Sequence, residues 1–172
     1  MESLLYFAYG SNMSTQRLRR RVPSARVVGT ALLPGHRLAW HKKGSDGSGK
    51  CDIPVAHSDD AVYGVVYAID PAHKPRLDRA EGLGFSYGQK HVDVRLLRRE
   101  EAVGAVTYYA LRIDPARVPY GWYREHVLIG AREHALPAHY VRRIERVAAT
   151  ADPNPRRERA ERGIHTADIG VD

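Results

Sequence analysis

Runs of apolar and aromatic residues, separated by short polar turns, fill the first two thirds of the chain. The first run, residues 4–9, contains no turn-forming residue, which is typical of a strand buried on both faces. The run 61–69 is rich in β-branched and aromatic residues and predicts a central strand. The same reasoning predicts further strands at residues 26–33, 37–41, 51–56, 89–98 and 102–112. Within the last strand, Tyr108 and Tyr109 must point to opposite faces, because successive side chains alternate.

Helical patterns separate and follow these strands. A short helix is predicted over residues 15–21, and a second one begins after Asp70 and ends where Gly82 interrupts the pattern. Later in the chain, apolar positions recur at helical spacing, which predicts helices over about 119–134 and about 140–148.

The order of these elements predicts the fold class. A strand, a helix, several antiparallel-compatible strands, a helix, two strands and two helices indicate a mixed α/β (α+β) protein, with a strongly curved or closed sheet and peripheral helices. The length of 172 residues fits one domain, so we expect a single domain over residues 1–172. Residues 156–172 mix both charges with little apolar content, and we expect a loosely ordered C-terminal tail there.

One stretch, residues 42–50, has three glycines, two serines and no apolar side chain. This composition predicts an exposed, mobile loop. Its glycines do not follow the phosphate-binding spacing Gly-x-x-x-x-Gly-Lys-Ser/Thr, so we interpret the stretch as a rim or lid of a pocket without a nucleotide role.

The net charge of +7 raises nucleic acid as a partner, but the basic residues are scattered among acidic ones. The one dense cluster, residues 17–21, would occupy several faces of a short helix, which is typical of a solvated surface. We therefore expect no nucleic-acid partner and favour an acidic small-molecule substrate. No apolar run is long enough to span a bilayer, and the first residues lack a basic region, so we expect a cytoplasmic protein without a membrane partner, as a monomer or homodimer.

Metal and thiol chemistry find little support in the sequence. Cys51 is the single cysteine, so it can form neither an internal disulfide nor a thiolate metal cluster. The nine histidines do not show metal-ligand spacing. We expect no metal and no cofactor, and we expect Cys51 to pack as a small hydrophobe, at most near a pocket rim.

Two places could carry chemistry. After the first strand, Gly10 permits a turn, and Ser11 and Asn12 are natural helix-capping residues. Such a turn presents backbone N–H groups that can hold a carboxylate or an oxyanion. Glu81 ends the helix before two glycines, which let another group approach closely, and it could carry a proton. The alternative is an ordinary surface glutamate in front of a glycine cap.

These two segments together resemble the γ-glutamylcyclotransferase family. The residues concerned are Tyr6-Phe7-Ala8-Tyr9-Gly10-Ser11-Asn12-Met13, followed later by Leu77-Asp78-x-x-Glu81-Gly82 and then Tyr87. The resemblance continues through 108–111, Tyr123 and 129–140, and covers roughly residues 4–150.

The resemblance implies an enzyme that converts γ-glutamyl amides to 5-oxoproline and a free amine without a cofactor, on a small barrel with attached helices. It implies that Glu81 is the catalytic acid and base. It also implies a set of substrate-binding residues: Tyr6, Tyr9, Gly10, Ser11, Asn12, Tyr87, Tyr109 and Tyr123. The stretch 42–50 and the side of the pocket that would hold the released amine cannot be matched, so that amine stays open. A non-catalytic protein that binds an amino-acid-like ligand on the same fold is the alternative.

Overall fold

The computed structural model describes residues 3–166. Along them the chain forms β1 (Leu4–Ala8), α1 (Thr15–Arg21), β2 (Arg26–Pro34), β3 (Ala39–Lys43), β4 (Gly49–Asp52), β5 (Ala61–Ile69), α2 (Lys74–Glu81), β6 (Tyr87–Leu96), β7 (Glu101–Ala110), α3 (Gly121–Glu133), α4 (Ala138–Glu145) and α5 (Pro155–Arg162). Short 3₁₀ turns at Ser11–Met13 and Pro71–His73 precede α1 and α2.

Five of the strands close into a barrel in the order β1, β5, β2, β6, β7. β1 pairs antiparallel with β5, where Phe7 lies opposite Val66, and parallel with β7, where Tyr6 lies opposite Val106. The second of these pairings closes the ring, because β7 is the last strand in the order. The predicted mixed, closed barrel with peripheral helices is confirmed, and β5 lies between β1 and β2 as a central strand should.

β1 and β5 carry side chains that are buried on both faces of the sheet, and α3 packs against the turn that follows β1. Phe7, Val65 and Val66 are fully buried. Gly130 lets α3 approach that turn closely, since a Cβ at this position would lie 2.5 Å from the Ser14 backbone nitrogen. A fixed helix therefore supports the segment that carries the first candidate motif.

Residues 42–50 are less exposed than their composition predicts. They form the tight turn and flanking strands of the β3–β4 hairpin, in which Gly44 N–H donates to Ser48 O at 2.8 Å. Lys42 and Ser48 are buried. Composition misleads here because the polar side chains find partners inside the turn and against neighbouring elements, so the stretch need not face water.

The C-terminal segment also differs from the expectation of a loosely ordered tail. Residues 155–162 form α5, and Glu161 on this helix receives a hydrogen bond at 2.6 Å from Arg17 on α1. Glu161 also accepts a hydrogen bond from His126 on α3, so polar contacts attach a helix that has no buried residue of its own. Residues 167–172 of the predicted tail lie outside the described residues. Among residues 3–166, no helix has both the length and the apolar character needed to cross a bilayer.

Candidate active site

The turn after β1 forms as its glycine and polar residues predict. Met13 N–H donates to Gly10 O at 3.0 Å and starts the 3₁₀ turn. Ser14 then caps α1 by accepting a hydrogen bond from Arg17 N–H at 3.3 Å. The N–H groups of Ser11 and Asn12 precede the first hydrogen bond of the turn, as the first N–H groups of any helix do. They are the donors that an anion at this turn would meet.

Glu81 is held at the mouth of this turn. Its Oε1 accepts a hydrogen bond from Asn12 Nδ2 at 2.8 Å and from an Arg21 guanidinium nitrogen at 3.2 Å. The same Arg21 nitrogen donates to Asn12 Oδ1 at 3.1 Å, and Asn12 Nδ2 also contacts Tyr6 Oη at 3.1 Å. Gly82, with φ of 65°, ends α2 immediately after Glu81 in the left-handed conformation. The carboxylate is therefore fixed by two donors and is only 13% exposed.

A narrow inner pocket lies beside Glu81 and is walled by tyrosines. Tyr87 Oη donates to Cys51 O at 2.8 Å, and Tyr123 Oη accepts from Cys51 N–H at 3.0 Å. Tyr9 Oη donates to Tyr108 O at 2.7 Å. Burial raises the pKa of Tyr9, Tyr87 and Tyr123 well above the usual value for a phenol, so all three remain neutral hydroxyls.

Eight of the nine predicted site residues line this inner pocket: Tyr6, Tyr9, Gly10, Ser11, Asn12, Glu81, Tyr87 and Tyr123. The ninth, Tyr109, does not line this pocket, contrary to the expectation. It lies on the outer face of β7, 37% exposed, with its ring over Gly88. Its neighbour Tyr108 is 2% exposed and lines the pocket instead. The alternation of β7 separates the two rings, but the sequence does not indicate which of them faces inward.

Sequence reasoning also missed the roles of Arg21 and Cys51 at this site. Arg21 belongs to the arginine cluster that was expected to be solvated, yet it binds Glu81, while Arg17 of the same cluster is buried against Glu161. Cys51 lines the pocket itself, beyond the rim position considered for it. Burial raises the pKa of its thiol to about 12, so the thiol stays protonated. No local signal in either segment indicates these contacts, which join residues far apart in the chain.

A second, wider cavity, which we call the outer cleft, opens beside the inner pocket and measures about 370 Å³. The two share Ser11, Glu81, Tyr87 and Tyr123 in their walls. The turn of the β3–β4 hairpin and the ends of α1 and α2 complete the outer cleft. Across residues 3–166, no three His, Cys, Asp or Glu side chains come together in a way that could hold a metal ion.

Comparison with known proteins connects this geometry with one enzyme family. The sequence pattern of the AIG2-like family matches residues 61–144. Human γ-glutamylcyclotransferase is 28% identical over 150 residues, covering 85% of this chain and 79% of the human protein, and the mouse protein of the same name is 27% identical. A solved structure of a γ-glutamyl cyclotransferase superposes with a TM-score of 0.87 at 26% identity, covering 96% of this chain and all of that one.

Proposed function

We propose that the chain acts as a γ-glutamylcyclotransferase and converts a γ-glutamyl amino acid or a γ-glutamyl amine to 5-oxoproline and the free amine. Its similarity to human γ-glutamylcyclotransferase and to the solved γ-glutamyl cyclotransferase structure supports this proposal. The α-amino group of the substrate attacks its own γ-carbonyl carbon, and Glu81 serves as general base and then as general acid. The observation that carries this proposal is the Glu81 carboxylate, held by Asn12 and Arg21 where the tyrosine-walled pocket meets the outer cleft.

The arrangement of Glu81 suits proton transfer. Within residues 3–166, the hydrogen bonds to this carboxylate fall on Oε1. Oε2 is the oxygen that would face the substrate amine, while Asn12 and Arg21 keep the group from rotating. A base held in place within hydrogen-bond reach contributes about 10²- to 10⁴-fold to a rate.

The turn after β1 is the proposed holder of the substrate. The backbone N–H groups of Ser11 and Asn12 would bind its α-carboxylate, or the oxyanion of the tetrahedral intermediate, and a well-placed donor of this kind contributes about 3 kcal/mol. The neutral hydroxyls and rings of the buried tyrosines would keep the γ-glutamyl chain folded. Folding brings amine and carbonyl together within one molecule, which replaces a bimolecular encounter.

The proton count of the reaction closes without a further reactant. Glu81 takes one proton from the α-ammonium group, the nitrogen attacks the γ-carbon, and a new C–N bond forms. As the bond to the leaving nitrogen breaks, Glu81 delivers that proton to it. The ring nitrogen releases a second proton and the departing amine takes one up, so the products are a lactam and an ammonium ion.

Replacing Glu81 with glutamine tests the mechanism. Glu81→Gln keeps the shape and an acceptor oxygen but removes the proton carrier, so kcat should fall about 10³-fold with little change in KM. The assay measures 5-oxoproline by mass spectrometry with a panel of γ-glutamyl amino acids and γ-glutamyl amines. Glu101→Gln, on an exposed strand position, is the matched control and should keep the wild-type rate.

Two results would contradict the proposal. Release of 5-oxoproline by Glu81→Gln at the wild-type rate would exclude Glu81 as the proton carrier. Tight binding of 5-oxoproline without turnover of any panel member by the wild type would favour the non-catalytic binding protein instead.

For the whole chain we propose one cytoplasmic domain that acts on free small molecules as a monomer or homodimer. The single cysteine supports a reducing compartment, because Cys51 is buried and has no disulfide partner. Size-exclusion chromatography with light scattering distinguishes monomer from dimer, and cell fractionation tests the location.

A further inference from the structure

The outer cleft carries an excess of positive charge. Two carboxylates, Asp46 and Glu81, lie in its wall. Five cationic side chains accompany them: Arg17, Arg21, Lys42, Lys50 and Arg79. Three of these cations have carboxylate partners, since Arg17 pairs with Glu161, Arg21 with Glu81 and Lys50 with Asp46. The surplus of positive charge in the cleft therefore lies on the other two cations, Lys42 and Arg79.

Lys42 is the buried member of that surplus. The residue is only 6% exposed, and its Nζ lies 4.8 Å from the centre of the Tyr87 ring. Across the described part of the chain, no carboxylate forms an ion pair with it. Buried lysines are rare in proteins unless they are paired. Within residues 3–166, Lys42 is thus a nearly buried cation in the wall of a cavity, and the face of the Tyr87 ring is the partner of its ammonium group.

The surroundings make this arrangement costly. Burial lowers the pKa of Lys42, and the charges of Glu81 and Asp46 offset that effect only in part. Lys50 lies directly opposite Lys42 in the hairpin register, and like charges in such a pair repel. Lys50 has Asp46 at 2.7 Å and rests on the Trp122 and Tyr123 rings, but Lys42 has no equivalent carboxylate. An anion that enters the cleft would supply the missing negative charge beside Lys42.

The position of Lys42 relative to Glu81 indicates which part of a substrate that anion belongs to. The ring of Tyr87 lies under the Lys42 ammonium and also lines the inner pocket. Glu81 lines both cavities. A substrate whose scissile bond lies at Glu81, with its γ-glutamyl part in the inner pocket, extends its leaving group into the outer cleft.

We infer that Lys42 binds a carboxylate on the leaving group, so that the enzyme selects γ-glutamyl amino acids and short γ-glutamyl peptides over γ-glutamyl amines. This inference rests on the proposed function and names its substrate class. Lys42 acts as a specificity-determining residue. Its ammonium takes no part in the proton transfers, and it distinguishes substrates by the charge of the group that departs.

Two substrates that differ by one carboxylate test the inference directly. γ-Glutamylalanine carries this group on the departing amine, whereas γ-glutamylethylamine has a hydrogen in its place. Hydrogen bonds between charged groups are the strong ones, so wild-type kcat/KM should be about 10- to 100-fold higher for γ-glutamylalanine. Lys42→Met keeps the chain length and removes the charge. It should bring the ratio of the two kcat/KM values close to one.

Further variants separate recognition from structure. Lys42→Arg keeps a cation and should restore a large part of the ratio. Lys43→Met, the same change at the exposed neighbouring position, should leave the wild-type ratio unchanged. The melting temperature of each variant shows whether it is folded, and the wild-type ratio tests the inference even if Lys42→Met does not fold.

The outcomes distinguish this inference from the proposed function. Equal wild-type kcat/KM values for the two substrates would overturn the carboxylate site and leave the cyclisation reaction standing. An equal loss for both substrates in Lys42→Met would give Lys42 a structural role and also overturn the inference. If the wild type released no 5-oxoproline from any γ-glutamyl compound, the proposed function itself would fall, and the inference with it.

Discussion

The inner pocket and the outer cleft share a wall, but they differ in whether their charged groups have partners of opposite charge or hydrogen-bond donors. In the inner pocket the Glu81 carboxylate has two donors, and the buried hydroxyls of Tyr9, Tyr87 and Tyr123 have backbone partners. In the outer cleft the nearly buried cation of Lys42 forms no ion pair with a carboxylate of the described residues. The polar groups of the inner pocket named above therefore have partners before a ligand binds, whereas Lys42 in the outer cleft does not have a charged one.

This difference between the two cavities suits two separate tasks, proton transfer in the inner pocket and substrate selection in the outer cleft. A group that must transfer a proton works best when its neighbours already hold it in place, because no reorganisation is then needed during the reaction. A group that selects a ligand by charge has to leave its own charge unpaired until the ligand binds. The proposed division of work between Glu81 and Lys42 follows this rule, and the variants below test it, starting with the largest expected effect.

Asn12→Asp should break the order of the inner pocket. The change is isosteric, but it replaces the donor that holds Glu81 Oε1 at 2.8 Å with an acceptor of the same charge as Glu81. Removal of one positioned donor from an active site costs about 10²- to 10³-fold in kcat, and we expect a loss in this range. Steady-state kinetics with γ-glutamylalanine measure it.

The same substitution elsewhere provides the control. Asn154 caps α5 through its side-chain oxygen, and aspartate caps helices equally well, so Asn154→Asp should be as active as the wild type. A folded Asn12→Asp enzyme with unchanged kcat would show that the contact between Asn12 and Glu81 does not matter for turnover.

Glu161→Gln should leave Arg17 without its carboxylate and so add another unpaired cation to the outer cleft. Burial alone would raise the pKa of Glu161, but the hydrogen bond from His126 and the charge of Arg17 outweigh it and lower that pKa to about 2. Because this value lies below the ordinary 4.5, the ionised Glu161 stabilises the fold fully above pH 4.5 and loses this effect as the pH falls towards 2.

Urea unfolding of the wild type and Glu161→Gln at several pH values measures this contribution. We expect the variant to be about 2 kcal/mol less stable at pH 7, with the difference disappearing near pH 2. Burial lowers the pKa of His126 to about 4, so both proteins should also lose stability between pH 6.5 and 4. A difference that stays constant with pH would contradict an ionised Glu161.

Tyr87→Phe and Tyr109→Phe should give the smallest and most closely matched contrast. Tyr87 Oη is buried and bonds to Cys51 O, so its removal should cost about 1 kcal/mol of unfolding free energy. Tyr109 lies on the outer face of β7, and its hydroxyl should contribute less than about 0.5 kcal/mol. Chemical denaturation of the two variants measures their free energies of unfolding. Equal losses of this free energy would contradict the assignment of Tyr109 to the outer face.

Local patterns predicted those parts of the protein that depend on near neighbours in the chain. Residues 15–21 form α1 with the predicted bounds, because its polar cap and the following proline act within a few residues. The order of the elements indicated a strongly curved or closed sheet, and the family resemblance implied the barrel that the structure shows. The composition of residues 42–50 and the C-terminal segment misled, because their polar side chains are satisfied by distant partners that composition does not show.

By itself, the sequence determined most of the strands and helices, the resemblance to one family and eight of the residues that line the inner pocket. Only the tertiary structure decided that Tyr108 and not Tyr109 faces that pocket and that Arg21 holds Glu81. It also decided that Lys42 is buried without a carboxylate partner among residues 3–166. The physical reason is how far apart along the chain the interacting residues lie. Capping and alternation act over a few residues, whereas burial and ion pairing depend on which distant segments the closed barrel brings into contact.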